Sequence, residues 1–169
     1  MVKIADKRAL MLAAGIRLVV FDVDGVLTDG TIQVNFAGRE SRRYSVRDGH
    51  GFELLKDAGI KAIWMTRSSP LTGSIEHRAN ALGVRLHGSI KDKEAELIHI
   101  CDTLAVGLQN VAFMGDDIFD IGAMRIVGFS ACPADADNAV KEEADYVCEN
   151  AGGRGAAREV IELILSCHA

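Results

Sequence analysis

The chain has 169 residues, 49% hydrophobic and 25% charged, a balance that suits one globular domain over 1–169 with a sizeable core. Its formal net charge of −5 leaves no basic stripe to neutralise phosphates. That argues against a nucleic-acid partner, though a few local cations could still hold a small anion. No apolar run is long enough to span a membrane, and the first fifteen residues are too broken by charge for a signal peptide. The four cysteines form no CxxC pair, which points to reduced thiols in a cytoplasmic protein.

Residues 5–14 predict a short amphipathic helix. Leu18 to Phe21 then form a continuous apolar run, expected for a strand buried on both faces of a parallel sheet. The run ends in Asp22, Val23, Asp24 and Gly25. Ile32, Val34 and Phe36 alternate with polar residues before a turn signal at Ala37-Gly38, and Tyr44 and Val46 alternate after it, which predicts a projecting β-hairpin. Asp48, Gly49 and Gly51 mark a loop in which Asp48 would cap a helix running from Phe52 to Gly59. Ile60 to Met65 reads as the second strand and ends in Thr66, Arg67 and Ser68. Pro70 would open the next helix, which stops at Gly83. A short strand at 84–86 follows, then a helix at 94–104. Val111 to Met114 is the fourth strand, trailed by Gly115, Asp116, Asp117 and Asp120. A helix at 120–127, a strand at 129–132, a helix at 137–144, a strand at 146–148 and a last helix to Leu165 complete the chain. Alternation of strand and helix throughout implies a three-layer, Rossmann-like α/β fold on a parallel sheet.

Parallel strands place their carboxyl ends on one edge, where open α/β sheets bind ligands. That edge would gather Asp22, Asp24, Thr66 and the acids after the fourth strand, with Lys93 nearby at a helix start. Two carboxylates one residue apart repel unless a cation sits between them, so Asp22 and Asp24 suggest an Mg²⁺ site completed by Asp116. Thr66 and Lys93 would then hold phosphate oxygens. This chemistry suits phosphoryl transfer to one carboxylate, with the other acting as acid and base. The blander alternatives are that the aspartates cap helices and that Lys93 is a solvated helix-start lysine. A lone aspartate would favour capping, whereas DVDG directly after a buried strand favours the metal.

DVDGVLT, the strand ending in Thr66, Lys93 and GDDxxD together resemble the four motifs of the haloacid dehalogenase-type phosphatases, across nearly the whole chain. Only the hairpin follows the first motif, with no large cap, as in the capless branch. VRDGHG at 46–51, PADA at 133–136 and GGRGAARE at 152–159 are similar to members that hydrolyse eight-carbon keto sugar acid phosphates in lipopolysaccharide precursor synthesis. The resemblance implies Asp22 as nucleophile and metal ligand, and Asp24 as acid/base and as metal ligand through its carbonyl. It implies Asp116 as the third protein ligand, with Thr66 and Lys93 on the phosphate. Ser45, Val46, Arg47, Asp48, Gly49 and Arg78 match substrate-contacting positions, and Arg154 matches an arginine of a closing segment. A homotetramer with hairpins at its centre is implied, each site being closed by a neighbour's C-terminal segment. Trimming after about Asn150 should therefore weaken closure more than folding. Arg67 and Ser68 stand where the family usually has Gly-Arg, and Glu53 stands where it often has arginine. Arg67 is thus the candidate replacement cation.

Three rival readings remain. A phosphatase of a nine-carbon sugar acid phosphate would share every motif. A non-catalytic assembly domain, similar to the C-terminal part of animal CMP-sialate synthetases, would have no need of Asp22, Asp24 and Asp116 together. A phospho-accepting receiver would keep its phosphate and would not place a hairpin directly after its acid pair.

Overall fold

The computed structural model describes residues 7–69 and 73–168. In chain order the elements are α1 (Lys7–Ala13), β1 (Leu18–Phe21), β2 (Gln33–Val34), β3 (Glu40–Ser41), α2 (Val46–Asp57), β4 (Lys61–Met65), α3 (Ser74–Leu82) and β5 (Arg85–His87). They continue with α4 (Lys93–Leu104), β6 (Val111–Met114), α5 (Ile121–Ile126), β7 (Phe129–Cys132), α6 (Asn138–Glu143), β8 (Tyr146–Val147) and α7 (Ala156–Ser166). Six strands pair in parallel in the order β5-β4-β1-β6-β7-β8. Pro70 and its expected role in opening a helix lie outside the described residues; the helix itself begins at Ser74.

β1 is central because all four of its residues are apolar and all four are buried. Its side chains alternate between two cores, as strand geometry requires. Val19 and Phe21 join Phe52, Leu55, Ile75, Val160, Ile161 and Ile164 on the face covered by α1, α2, α3 and α7. Leu18 and Val20 join Leu97, Ile100, Ala123, Met124 and Val140 on the face covered by α4, α5 and α6. Phe21 is level with Trp64 on one side and Met114 on the other. Three strand tips therefore reach the same edge together.

Four expectations change. The hairpin is shorter than the alternation implied: β2 and β3 pair over only two residues each, and Val46 begins α2 instead of continuing a strand. α2 starts six residues before Phe52, capped by Ser45, whose side chain accepts the Asp48 N–H, so Asp48 is not the cap. Gly49 and Gly51 lie inside that helix and close against their neighbours: a Cβ would crowd the Arg78 guanidinium at Gly49 and the end of the Ile161 side chain at Gly51. Finally, the alanine half of GGRGAARE is core, so the segment is not a detachable closing element. It leads into α7, where Ala156, Ala157, Val160, Ile161 and Ile164 are all buried.

Candidate active site

Asp22 follows β1 directly, and its N–H donates to the Met114 carbonyl, which pins it to β6. The turn after it depends on two residues. Gly25 has φ +94, and a Cβ there would overlap the Asp116 carboxylate, so only glycine brings the loop this close. Buried Thr28 accepts the N–H groups of Gly25 and Gly30, each at 3.3 Å. Gly152 and Gly153 pack against this loop from the same chain, with the Gly153 N–H on the Val26 carbonyl at 2.9 Å.

Lys93 is 4% exposed, which rules out a solvated helix-start lysine. It reaches across from the first residue of α4 to bond both Asp22 Oδ1 and Asp120 Oδ1. Capping is the blander alternative for the acids after β6, and Asp120 does cap: Oδ2 accepts the N–H groups of Asp116 and Asp117 at 3.0 and 3.1 Å. Its other oxygen goes to Lys93, so it also holds the lysine that holds Asp22. That second duty is invisible in sequence, where Lys93 and Asp120 are far apart.

One carboxylate oxygen from each of Asp22, Asp116 and Asp120 lies within 4.8 Å of the others. The crowding shows electrostatically. Burial, then Asp120, pushes the Asp116 carboxyl up to about 7. Burial raises Asp22 well above the usual range, with Lys93 pulling against it. Asp116 Oδ1 is buried with no hydrogen-bond partner among the described residues. An all-oxygen acidic pocket with an orphaned carboxylate oxygen fits a hard divalent cation. Both Asp120 oxygens already accept protein donors, whereas Asp22 accepts Lys93 on Oδ1 alone and Asp116 Oδ1 accepts nothing, so Asp22 and Asp116 have the most open oxygens for it.

Asp24 departs from the expectation that both motif acids share one small volume. Its carboxylate turns away from Asp22 to Arg42, with Nε to Oδ1 at 2.5 Å and Nη2 to Oδ2 at 3.2 Å, and accepts the Ser68 hydroxyl at 2.7 Å. A single metal therefore cannot take both side chains in this arrangement, although the Asp24 carbonyl is unaffected. The sequence offered no signal for Arg42, a charged residue in a polar hairpin.

Thr66 is buried one residue beyond β4, with its Oγ1 accepting the Ser68 N–H at 3.1 Å. Arg67 stacks over the Phe119 ring at 3.7 Å, which places a cation on the rim between the β4 and β6 loops. Val46 and Arg47 are exposed on the first turn of α2, and Glu53 is exposed further along it. Gly49 and Arg78 meet in a tight cavity behind that turn, beside Tyr44 and Trp64. Arg154 is exposed and lines a cavity of about 100 Å³ with Asp29, Arg43, Tyr44 and Gly153. Asp48 is the exception among the expected substrate contacts. It is 2% exposed and accepts the backbone N–H groups of Gly155 and Arg158 at 3.2 and 2.9 Å. Its carboxylate caps α7 and is not free for a ligand. A larger cavity of about 400 Å³ lies at the opposite, amino edge of the sheet near Lys61 and Arg85, far from the acids.

Acid-bearing strand tips, a buried lysine and a glycine-spaced first loop on this sheet define the haloacid dehalogenase-like hydrolases, and the profile of that group matches residues 87–160. The chain is 40% identical over 155 residues to the 3-deoxy-D-manno-octulosonate 8-phosphate phosphatase of Salmonella typhi, covering 90% of this chain and 81% of the relative. The Escherichia coli K12 enzyme of the same name is 39% identical over the same shares. Among solved structures, a Moraxella catarrhalis 3-deoxy-D-manno-octulosonate 8-phosphate phosphatase in complex with magnesium, phosphate and the sugar acid superposes with a TM-score of 0.92. It is 34% identical and is matched over 96% of this chain and 93% of that one. A Xanthomonas campestris hypothetical protein superposes at 0.94 with 36% identity, over 98% and 90% of the two chains. The chain belongs to the 3-deoxy-D-manno-octulosonate 8-phosphate phosphatase family.

Proposed function

We propose that this chain hydrolyses 3-deoxy-D-manno-octulosonate 8-phosphate to the free sugar acid and phosphate, with Mg²⁺, through an aspartyl-phosphate on Asp22. The observation that carries the reading is the shared buried site of Asp22, Lys93 and Asp116. One carboxylate is held in place by a lysine, and the one beside it has a buried oxygen with no hydrogen-bond partner. Asp22, Asp116 and the Asp24 carbonyl would hold the Mg²⁺, which supplies positive charge against the carboxylates and the phosphate oxygens. Lys93 keeps Asp22 aligned and offers its remaining charge to the phosphoryl group, and Thr66 donates its hydroxyl to a phosphate oxygen. An Asp22 oxygen bonds to phosphorus as the phosphorus–alcohol bond breaks, and Asp24 protonates the departing oxygen. Water then attacks phosphorus, Asp24 takes its proton, and the Asp22–phosphorus bond breaks. The proton gained in the second half replaces the one given in the first.

Arg67, Arg78 and Arg154, with Ser45, Val46, Arg47 and Gly49, are the proposed contacts for the sugar acid. Exposed Ile32, Val34 and Phe36 on the hairpin support assembly into a homotetramer, since such apolar edges favour burial against another copy. Four free cysteines support a cytoplasmic location, and the reaction would serve lipopolysaccharide precursor synthesis. No described helix is long and apolar enough to cross a membrane. Phosphate release from eight- and nine-carbon keto acid phosphates, with and without EDTA, tests the reading. Preference for the nine-carbon acid would keep the mechanism and change the substrate. Full activity in chelator would remove the metal.

A further inference from the structure

We infer that Arg42 is a positioning residue for the acid–base step, fixing the carboxylate of Asp24 through a two-point ion pair. The inference rests on the reading of Asp24 as acid and base given above. Arg42 lies one residue past β3, on a hairpin whose Val34 is 64% and Phe36 fully exposed. Its own side chain is nevertheless 0% exposed. Burying a guanidinium costs several kcal/mol unless its donors are met, and here they are. Besides Asp24 they reach Glu40 at 3.2 Å, the Ser68 hydroxyl at 3.3 Å and the Ser74 hydroxyl at 3.4 Å. A two-residue hairpin ladder does not require such a residue in order to turn. The guanidinium ties the hairpin to the first-motif acid and to both ends of the segment linking β4 to α3.

The consequence is a division of labour between two acids one residue apart. Lys93 holds Asp22 on the sheet side, and Arg42 with Ser68 holds Asp24 on the hairpin side. Without Arg42, the Asp24 carboxylate would be free to swing toward the cation site, where a proton donor is of no use. Arg42 itself stays a charged guanidinium throughout and exchanges no proton: Nε keeps Asp24 Oδ1, while Oδ2, held more loosely by Nη2 at 3.2 Å and by the rotatable Ser68 hydroxyl, is the oxygen that would give and take the proton. A fixed acid is worth about 10²–10⁴ in rate when the leaving oxygen needs a proton.

The test compares phosphoryl transfer from two esters by rapid quench in Mg²⁺. One is the eight-carbon sugar acid 8-phosphate, whose alkoxide must be protonated. The other is p-nitrophenyl phosphate, whose phenolate leaves unaided. R42A should slow transfer from the sugar ester about 100-fold with KM changed less than about threefold, while the first burst of nitrophenolate keeps its rate within about threefold. R42K should regain at least about a tenth of the lost rate, because it restores charge at one point but not the fork. S68A, which removes the other anchor, should give the same leaving-group signature at about fivefold. In the D24N background R42A should cost nothing further. Equal slowing of both esters with a raised KM would make Arg42 a substrate contact. A lowered melting temperature with unchanged rates would leave it a hairpin strut, and additive losses in the double variant would show that it does not act through Asp24. Each of these overturns the inference. Wild-type protein that releases no phosphate from either ester would remove the phosphatase reading together with it.

Discussion

Asp48 sits where relatives' substrate contacts were expected, yet the structure spends its carboxylate on α7, so Asp48→Ala should weaken the fold and spare catalysis. The carboxylate accepts two N–H groups, from Gly155 and Arg158, at the first turn of a helix that begins more than a hundred residues away. Leaving a buried donor unmet costs about 1–3 kcal/mol, and loss of a helix cap costs about 0.5–2 kcal/mol. The expected loss is therefore about 2–4 kcal/mol, or about 10 °C in melting temperature for a chain of this size. Asp48→Asn keeps one acceptor oxygen and should cost about 1 kcal/mol. Burial raises the Asp48 carboxyl above its ordinary value, so the neutral isostere also avoids burying a charge. Urea unfolding would give the stability, and initial rates well below the transition would give kcat and KM, both expected within about threefold of wild type. Unchanged stability with a KM raised tenfold or more would refute the capping argument and return Asp48 to the substrate.

Truncation after Asn150 should yield an unfolded chain by circular dichroism, since it removes buried Val160, Ile161 and Ile164, worth about 1.5–3 kcal/mol each against a total stability of about 5–15 kcal/mol. A folded, inactive product would show instead that the segment only closes the site. Lys93→Met should lower stability by about 3–5 kcal/mol, because it strands Asp22 and Asp120 as buried, uncompensated charges; a melting temperature equal to wild type would contradict the two ion pairs. The Asp116 carboxyl is pushed up to about 7, so without metal the folded protein keeps a proton that the unfolded chain has released. This contribution to stability is full below about pH 4 and is lost as pH rises to about 7. Mg²⁺ needs the carboxylate, so its stabilising effect in thermal melts should grow over the same window and be larger at pH 8 than at pH 5.5. An equal shift at both pH values would separate Asp116 from the metal.

The parts of the site legible in sequence are those set by local pattern. A four-residue apolar run followed by DVDG fixed where Asp22 would emerge, and the alternation of strands and helices fixed which edge it would share with Thr66 and Asp116. What stayed hidden depends on contacts between residues distant in the chain. Arg42 is one of several charged residues in a polar hairpin, and nothing local distinguishes the one whose side chain turns inward to Asp24. Asp48 precedes two glycines, which ordinarily signal a loop. The closeness of Arg78 and Ile161 suits glycine at those helical positions, and only α7 explains what the aspartate binds. GGRGAARE likewise reads as a glycine-rich closing element until the burial of its second half is seen.

The most direct test of the account is phosphate release from 3-deoxy-D-manno-octulosonate 8-phosphate by wild-type protein and by Asp22→Asn, in Mg²⁺, with ³²P labelling of the protein followed in parallel. Asp22 accepts the phosphoryl group on this account. Wild type should then turn over and carry transient acid-stable label, while the folded variant releases no phosphate and takes up no label. Turnover by Asp22→Asn near the wild-type rate, or label on a different residue, would contradict it.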